Sequence, residues 1–295
     1  MGVIYSFLLF FRIFSGHFII CWKDYRIMDL SADFWVLSPF NTLFNIIFAL
    51  FLLLLAAASL LLKGKSEKTK QTVLVTACLL TLIGYFIYKY ALSLDSDYNI
   101  IRADYGGFNW WGELPLHMCN INMILIPIAV LKKNRPIMCF CFFCAPLGGL
   151  MALAMPGAGF TGFPVFLPRM LGYFGTHFMI VIEGLALATF GLYRPKYRDL
   201  PRTLLTAIAI MVVLFGFNMV LRMTGVYPYA NYFYSVETEG NFVLELFYRW
   251  IPFPLLYQAP SVAILGIYMF LVTTPFELSE RKREKNELPN RRTRE

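Results

Sequence analysis

Apolar segments long enough to cross a lipid bilayer divide this chain and constrain its fold more than any other feature. A membrane-spanning helix needs about 20 mostly apolar residues. The chain has such segments at about residues 35–62, 72–94, 114–131, 136–155, 170–193, 203–223 and 251–273. The sequence therefore predicts an all-α polytopic membrane protein with seven transmembrane helices.

The composition supports this prediction and excludes other classes of protein. Hydrophobic residues make up 58% of the chain and charged residues 15%, whereas a soluble domain carries about 25% charged residues. This balance excludes a disordered chain and a soluble globular enzyme. The net charge of +8 comes from basic residues in short loops, which indicates orientation in a membrane and no nucleic-acid partner. The expected partners are membrane lipids.

The charges of the connecting loops predict which side each loop faces. Basic connections at 63–70, 132–135 and 194–202, and the basic C-terminal tail, alternate with connections that are acidic or nearly uncharged. The acidic or nearly uncharged connections are 95–113, 156–169 and 224–250. Basic loops are retained in the cytoplasm. We therefore expect a multi-pass protein of the cell membrane with a cytoplasmic C-terminus.

The expected organisation has three parts. Residues 1–34 form an N-terminal interfacial segment, 35–273 a seven-helix transmembrane domain, and 274–295 a charged cytoplasmic tail, in which residues 277–295 are expected to lack regular structure. The first segment carries Arg12 and His17 near its middle, and an arginine at the bilayer centre costs about 2.5–3.5 kcal/mol. An eighth spanning helix is the alternative for this segment. A cleaved signal peptide is not expected, because a basic start and a small-residue cleavage site are lacking.

Polar side chains concentrate in the predicted outer half of four spans. They are Asn41 and Asn45, then His117, Cys119, Asn120 and Asn122, then His177, and then Asn218 and Arg222, with Asn231 following in the outer loop. Ionisable residues inside spans are costly and often functional, so the set predicts a polar cavity open to the outer side. The alternative is a set of interhelical hydrogen bonds, each worth about 0.6 kcal/mol.

Other notable residues carry weaker functional predictions. Lys89 lies among tyrosines and is expected to be an anchor at the membrane surface. Glu183 is expected to be either a protonated interhelical donor or part of a proton path. Cys139, Cys141 and Cys144 lie in an apolar run without further ligands nearby, which favours packing over metal binding. Neither a metal nor another cofactor is expected.

The run Leu114-Pro115-Leu116-His117-Met118-Cys119 opens the third predicted span. An LPLHxC run followed by an apolar helix resembles the YwaF-like family of integral membrane proteins. Further parts of the resemblance are Phe163-Pro164, Leu167-Pro168-Arg169, Tyr173-Phe174-Gly175-Thr176-His177, Asn218, Asn231-Tyr232 and Ile251-Pro252-Phe253-Pro254. The resemblance implies the same membrane fold over about residues 35–273. It also implies kinship with a vertebrate phospholipid acyltransferase that relies on a cysteine.

One departure from that family concerns the first span. The family tends to carry a histidine there, where this chain has Asn41 and Asn45. An asparagine can keep a hydrogen bond but cannot act as a general base. A mechanism that needs this imidazole is therefore not expected here.

Helix geometry limits how Cys119 can be activated. In a regular helix, with about 100° per residue, His117 and Cys119 point about 160° apart. A Cys–His pair would then need His177, or an unwound turn near Pro115. The first functional hypothesis is a lipid acyltransferase or hydrolase with Cys119 as nucleophile, His177 or His117 as base, and asparagines stabilising an oxyanion.

The alternative functions use the same cavity without catalysis. In a binding or transport protein, Asn41, Asn45, Asn120, Asn218, Arg222 and Asn231 would hold a small polar or lipid ligand, with Arg222 pairing with an anionic group. A non-catalytic assembly factor is the third hypothesis. The unequal spans show no inverted repeat, which argues against a transporter.

Overall fold

A computed structural model describes residues 34–157 and 159–292. Its helices are α1 (Thr42–Leu61), α2 (Glu67–Ser93), α3 (Ser96–Ile101), α4 (Asn122–Leu131), α5 (Arg135–Ala154), α6 (Pro168–Thr189), α7 (Leu200–Met223), α8 (Phe242–Trp250) and α9 (Ala259–Arg292). In this part of the chain, six helices are long and apolar enough to cross a membrane, and α4 is a shorter apolar helix. The architecture is that of an all-α polytopic membrane protein.

Helices α5 and α6 form the centre of the bundle, and most of their residues are buried by other helices. The surfaces of α1, α2, α7 and α9 are mostly exposed and apolar, as expected of helices that face lipid. Glycines allow the central helices to approach closely. A Cβ atom on Gly184 of α6 would lie 2.6 Å from Cδ of Pro146 on α5. Small residues at helix contacts are a common way to bring membrane helices together.

The first helix begins later than the apolar pattern predicts. Val36–Leu37 forms a short strand, β1, that pairs antiparallel with Phe163–Pro164, β2. Asn41 then caps α1, because its side-chain oxygen accepts a hydrogen bond from the Phe44 amide at 2.9 Å. The expected span from residue 35 is therefore wrong at its start, since a short strand paired with residues 163–164 precedes the helix.

The third predicted span is half as long as expected. Residues 114–121 form turns, and the regular helix begins at Asn122. Pro115 disfavours helical backbone in the preceding residue. The Leu114 amide donates to the hydroxyl of Tyr232 at 3.2 Å. The side-chain amide of Asn122 donates to the carbonyls of Met118 and Cys119. These hydrogen bonds satisfy the two carbonyls without a regular helix, so the backbone can form turns there.

The last helix continues beyond the predicted membrane span. Helix α9 runs to Arg292, so the expectation that residues from 277 onward lack regular structure is wrong for 277–292. Contacts with the connection before α7 stabilise this extension. Lys196 Nζ lies 2.7 Å from Glu280 Oε1, and the Tyr197 amide donates to Glu277 at 3.0 Å. The interpretation of residues 1–33, including Arg12 and His17, lies outside the described residues.

Candidate active site

The structure brings Cys119 and His177 together. Cys119 Sγ lies 3.5 Å from His177 Nε2, although 58 residues separate them in the chain. His177 Nδ1 lies 2.7 Å from the carbonyl oxygen of Tyr173, one turn earlier on α6. A carbonyl oxygen only accepts hydrogen bonds, so Nδ1 carries the proton and Nε2 is the free base. The imidazole therefore presents its basic nitrogen to the thiol.

Two adjacent glycines of α5 make this approach sterically feasible. A Cβ atom on Gly148 would lie 3.3 Å from the Cα and Cβ of Cys119. A Cβ atom on Gly149 would lie 2.7 Å from Val181 Cγ2 and 3.1 Å from the His177 carbonyl oxygen. The backbone of α5 thus packs directly against both the turn that carries the thiol and the helix that carries the imidazole.

The turn around Cys119 contains backbone donors near the thiol. They are the N–H groups of Cys119 and Asn120, which precede the regular helix that begins at Asn122. Within residues 34–157 and 159–292, neither group donates to a backbone carbonyl. Asn120 is buried, and its side-chain oxygen has no hydrogen-bond partner among the described residues. The two N–H groups could stabilise negative charge on a reacting atom, and the Asn120 side-chain oxygen could accept a hydrogen bond from a ligand.

A buried ion pair holds the start of the same segment. Glu113 Oε2 lies 2.5 Å from Lys89 Nζ on α2, and the Tyr98 hydroxyl donates to Glu113 Oε1 at 2.9 Å. The Tyr85 hydroxyl donates to the Glu113 carbonyl at 2.8 Å. Burial opposes ionisation of Glu113, but the Lys89 ammonium outweighs it, and the pKa of Glu113 lies below its ordinary value. The prediction that Lys89 is a surface anchor is wrong, because this ion pair buries it.

His117 lies beside the Cys–His pair but packs against aromatic rings. Its ring centroid is 5.2 Å from that of Tyr232 and 5.8 Å from that of Tyr234. Tyr232 also donates through its hydroxyl to the Trp111 carbonyl. Among the described contacts, none joins His117 to the Cys119 thiol by a hydrogen bond. The imidazole that contacts Cys119 is that of His177.

Several predicted ligand-binding residues are used within the fold instead. Asn41 caps α1, and the amide of the exposed Asn45 donates to the Phe40 carbonyl at 2.9 Å. Asn218 is fully buried and bonds both the amide and the carbonyl of Tyr232, as well as the Ser235 hydroxyl. The structure therefore does not bring these three amides to the Cys–His pair as free donors.

Arg222 and Asn231 organise the loop between α7 and α8. Arg222 Nη1 lies 2.7 Å from Glu237 Oε1, and its Nε donates to the Ala230 carbonyl at 2.7 Å. The side-chain oxygen of Asn231 accepts from the amides of Val236 and Glu237. The structure thus gives Arg222 a carboxylate of the protein as its anionic partner.

A family model matches residues 36–273. The chain belongs to the TMEM164 family. In this TMEM164-family chain the matched region includes both residues of the Cys–His pair, the glycines of α5 and the Lys89–Glu113 ion pair. Membership supports a multi-pass membrane protein. Neither a curated protein nor a solved structure matches the chain.

Sequence reasoning missed the residues that shape the site of this TMEM164-family chain. Gly148 and Gly149 could have been noticed as adjacent glycines in an apolar helix, which often mark close packing in membranes. The role of Tyr173 could not be predicted from the residue type, because its backbone carbonyl, not its side chain, contacts His177.

The described residues contain no group of three His, Cys, Asp or Glu side chains suited to a metal ion. Cys139, Cys141 and Cys144 are fully buried. The site therefore offers a thiol, an imidazole and backbone donors as its chemical groups.

Proposed function

We propose that this protein is a thiol-dependent acyltransferase acting on membrane lipids, with Cys119 as nucleophile and His177 as general base. The observation that supports this best is the 3.5 Å approach of Cys119 Sγ to His177 Nε2. The Tyr173 carbonyl holds the proton on the opposite ring nitrogen. A nucleophile beside a base that a third group orients is the arrangement used in covalent acyl transfer.

The first half of the reaction forms an acyl-enzyme. His177 Nε2 accepts the proton of the Cys119 thiol, and the sulfur attacks an ester carbonyl of the donor lipid. The backbone N–H groups of Cys119 and Asn120, which donate to no backbone carbonyl among the described residues, would donate to the resulting oxyanion. The intermediate collapses to a thioester on Cys119, and the departing lipid oxygen takes the proton from His177.

The second half transfers the acyl group. A hydroxyl group of an acceptor lipid gives its proton to His177 Nε2, and its oxygen attacks the thioester carbonyl. The new ester leaves, and the thiol recovers its proton from His177. If water replaces the lipid hydroxyl, the same steps make the protein a lipid hydrolase.

The proposed location is the cell membrane, with the site open toward the extracytoplasmic side and the C-terminus in the cytoplasm. The basic connections at 63–70, 132–135 and 194–202 support this orientation. The turn with Cys119 lies at the opposite end of α4 from Lys132 and Lys133.

The test is acyl transfer by purified protein in phospholipid nanodiscs. A phosphatidylcholine with a labelled acyl chain is the donor and a lysophospholipid the acceptor. We expect labelled diacyl product and a thioester adduct at Cys119, found by mass spectrometry and released by hydroxylamine. Cys119→Ser and His177→Gln should abolish both signals.

Cys144→Ala is the matched control, because its thiol is fully buried in the packing of α5. It should retain both product and adduct. Turnover by Cys119→Ala, or an adduct on another residue, would contradict the mechanism. Stable lipid binding without an adduct would favour a non-catalytic binding protein.

A further inference from the structure

Helix α8 (Phe242–Trp250) is too short to cross a membrane, although it lies in the chain between two long apolar helices, α7 and α9. Asn241 fixes its start, because its side-chain oxygen accepts hydrogen bonds from the amides of Val243 and Leu244 at 3.1 and 3.2 Å. The helix ends two residues before Pro252, and a proline disfavours helical backbone in the residue before it. A helix of this length extends about 14 Å, less than half of a hydrocarbon layer about 30 Å thick.

One face of α8 packs against the start of α9. Leu244 and Phe247 are buried in a small apolar cluster with Tyr257. The centre of the Tyr257 ring also lies 5.5 Å from that of the Tyr248 ring. Tyr257 stands two residues before α9 begins at Ala259. Because α9 is long and apolar enough to span the bilayer, this packing places α8 at the membrane boundary where α9 enters.

The opposite face of α8 is apolar and exposed. Phe242, Leu246 and Trp250 follow at intervals of four residues, so they point within about 80° of one another, and Val243 borders them at about 100° from Phe242. All four side chains are exposed, and Phe242 and Trp250 keep 77% and 71% of their surface accessible. An exposed apolar stripe that contains two large aromatic rings indicates an interaction surface.

Charged side chains follow one border of this stripe. Glu245 and Arg249 are one turn apart and lie within about 60° of Phe242 around the helix axis. Arg249 is exposed, and Glu245 accepts a hydrogen bond from the Thr238 hydroxyl in the preceding loop. An apolar face bordered by charges is typical of a helix that lies in the plane of a membrane surface, and tryptophan is enriched at that level.

Exposed apolar side chains continue along the chain from α8 into α9. Phe253 and Leu256 are exposed in the connection between the two helices, and Ile264 and Ile267 are exposed on α9 itself. On a helix that spans the bilayer, such side chains face lipid. This continuity favours lipid, rather than a soluble protein, as the phase that covers the stripe on α8.

We propose that α8 is an in-plane membrane anchor whose stripe of Phe242, Val243, Leu246 and Trp250 inserts into a phospholipid bilayer between headgroups and acyl chains. The lipid covers the apolar side chains, while Arg249 extends toward the headgroups. The partner is the lipid surface and not a substrate. The inference therefore depends neither on the proposed enzymatic function nor on which side of the membrane α8 occupies.

The first test measures which phase surrounds each side of α8 in phosphatidylcholine liposomes. A nitroxide spin label is attached to Leu246→Cys on the stripe or to Arg249→Cys on the charged border. Cys21 and Cys119 are replaced by serine in both proteins, because the other four cysteines are buried. Power-saturation spectroscopy compares collisions with oxygen, which concentrates in lipid, and with a water-soluble nickel complex. We expect the ratio of oxygen to nickel accessibility to be several-fold higher at position 246 than at position 249.

Two results at position 246 would overturn the inference. A label that meets the nickel complex more than oxygen would place the stripe in water. A label shielded from both reagents would mean that protein covers the stripe, whether a second copy of the chain, another protein or residues 1–33. Both positions are exposed, so the substitutions should leave the unfolding temperature unchanged, which verifies that the labelled proteins are folded.

A second measurement separates an in-plane anchor from a deeper insertion. A fluorophore on Leu246→Cys is quenched by phospholipids brominated either near the ester end or near the methyl end of the acyl chain. Quenching should be stronger with bromine near the ester end. Ile267→Cys, eight residues into α9, provides the deep reference and should show the opposite order. The same order at both positions, with stronger quenching near the methyl end, would place α8 in the hydrocarbon core and overturn the inference.

Discussion

The carbonyl oxygen of Tyr173 accepts a hydrogen bond from Nδ1 of His177 at 2.7 Å, one helical turn later on α6. This bond determines which nitrogen of the imidazole is basic, and it directs that nitrogen toward Cys119. In many Cys–His sites a side chain orients the imidazole. Here a helix carbonyl does so. A third polar side chain is therefore not required to orient the imidazole among these buried helices.

Cys119 should be the first of the five described cysteines to react with an alkylating agent. It is partly exposed, whereas Cys78, Cys139, Cys141 and Cys144 are buried. Brief treatment of the folded protein with N-ethylmaleimide, followed by peptide mass spectrometry, should find the adduct at Cys119. The four buried thiols should react only after unfolding. Early labelling of Cys144 with Cys119 unmodified would contradict the described geometry.

Gly148→Ala and Gly149→Ala should disturb the site by overpacking. The new methyl groups would lie 3.3 Å from Cys119 atoms and 2.7 Å from Val181 Cγ2, respectively. Overpacking typically costs about 1–3 kcal/mol, so unfolding temperatures should fall and Gly148→Ala should also slow labelling of Cys119. Gly216→Ala on α7 is the control, because a methyl group there would meet no atom within 4 Å. A loss in the control equal to that of Gly149→Ala would refute the packing argument.

Glu113→Gln should destabilise the protein because it leaves the Lys89 ammonium buried without a charged partner. Removing one member of a buried pair costs about 3–5 kcal/mol. Glu67→Gln is the matched control, since Glu67 pairs with Lys133 at an exposed position, and its loss should be below about 1 kcal/mol. Thermal unfolding in detergent measures both effects.

The effect of Glu113 should depend on pH in a defined direction. Its pKa in the folded protein lies below the ordinary value of 4.5. Its contribution is therefore fully present above pH 4.5 and is lost as pH falls through the lower folded pKa. The unfolding temperatures of wild type and Glu113→Gln should converge toward the acid end of that range. A gap that widens on acidification would contradict the ion pair.

Asn218→Ala should destabilise the loop between α7 and α8. The substitution leaves the buried amide and carbonyl of Tyr232 without their partner, at about 1–3 kcal/mol for each unsatisfied group. Because Tyr232 contacts the Leu114 amide, acyl transfer should fall together with stability. Asn45→Ala removes an exposed amide contact and should change stability by less than about 0.5 kcal/mol. Full stability of Asn218→Ala would show that the amide has another role.

A reporter that fluoresces only in the cytoplasm should be active when fused after Glu295. The alternation of basic and non-basic connections predicts this result. A reporter inserted in the connection at 224–250 should be inactive. Activity at that connection and inactivity at the C-terminus would reverse the proposed orientation of the site.

The class of fold could be predicted from the sequence because the length of an apolar segment and the charge of a loop depend only on local composition. It placed the spans of α2, α5, α6 and α7 within a few residues. It failed at the start of α1 and at residues 114–121, where proline and side-chain hydrogen bonds compete with the helix. Such competition involves groups distant in sequence, as in the contact of Tyr232 with Leu114.

The sequence also indicated most of the polar residues near the site, but it did not distinguish their roles. Asn218, Arg222 and His177 lie at a similar predicted depth. Depth alone could therefore not show which of them keeps a polar group free to bind a ligand. Asn218 forms a hydrogen bond and Arg222 an ion pair with residues of the loop between α7 and α8. That loop has no periodic sequence pattern from which these contacts could be predicted.

The ten residues of α4 extend only about 15 Å, half of a hydrocarbon layer about 30 Å thick. In the proposed orientation, with Lys132 and Lys133 at the cytoplasmic surface, the turn with Cys119 would lie near the middle of the bilayer rather than at its outer surface. A thioester formed at that depth would be insulated from bulk water, and its lifetime would be set by the arrival of a lipid hydroxyl. The shortness of one helix would in this way favour transfer over hydrolysis.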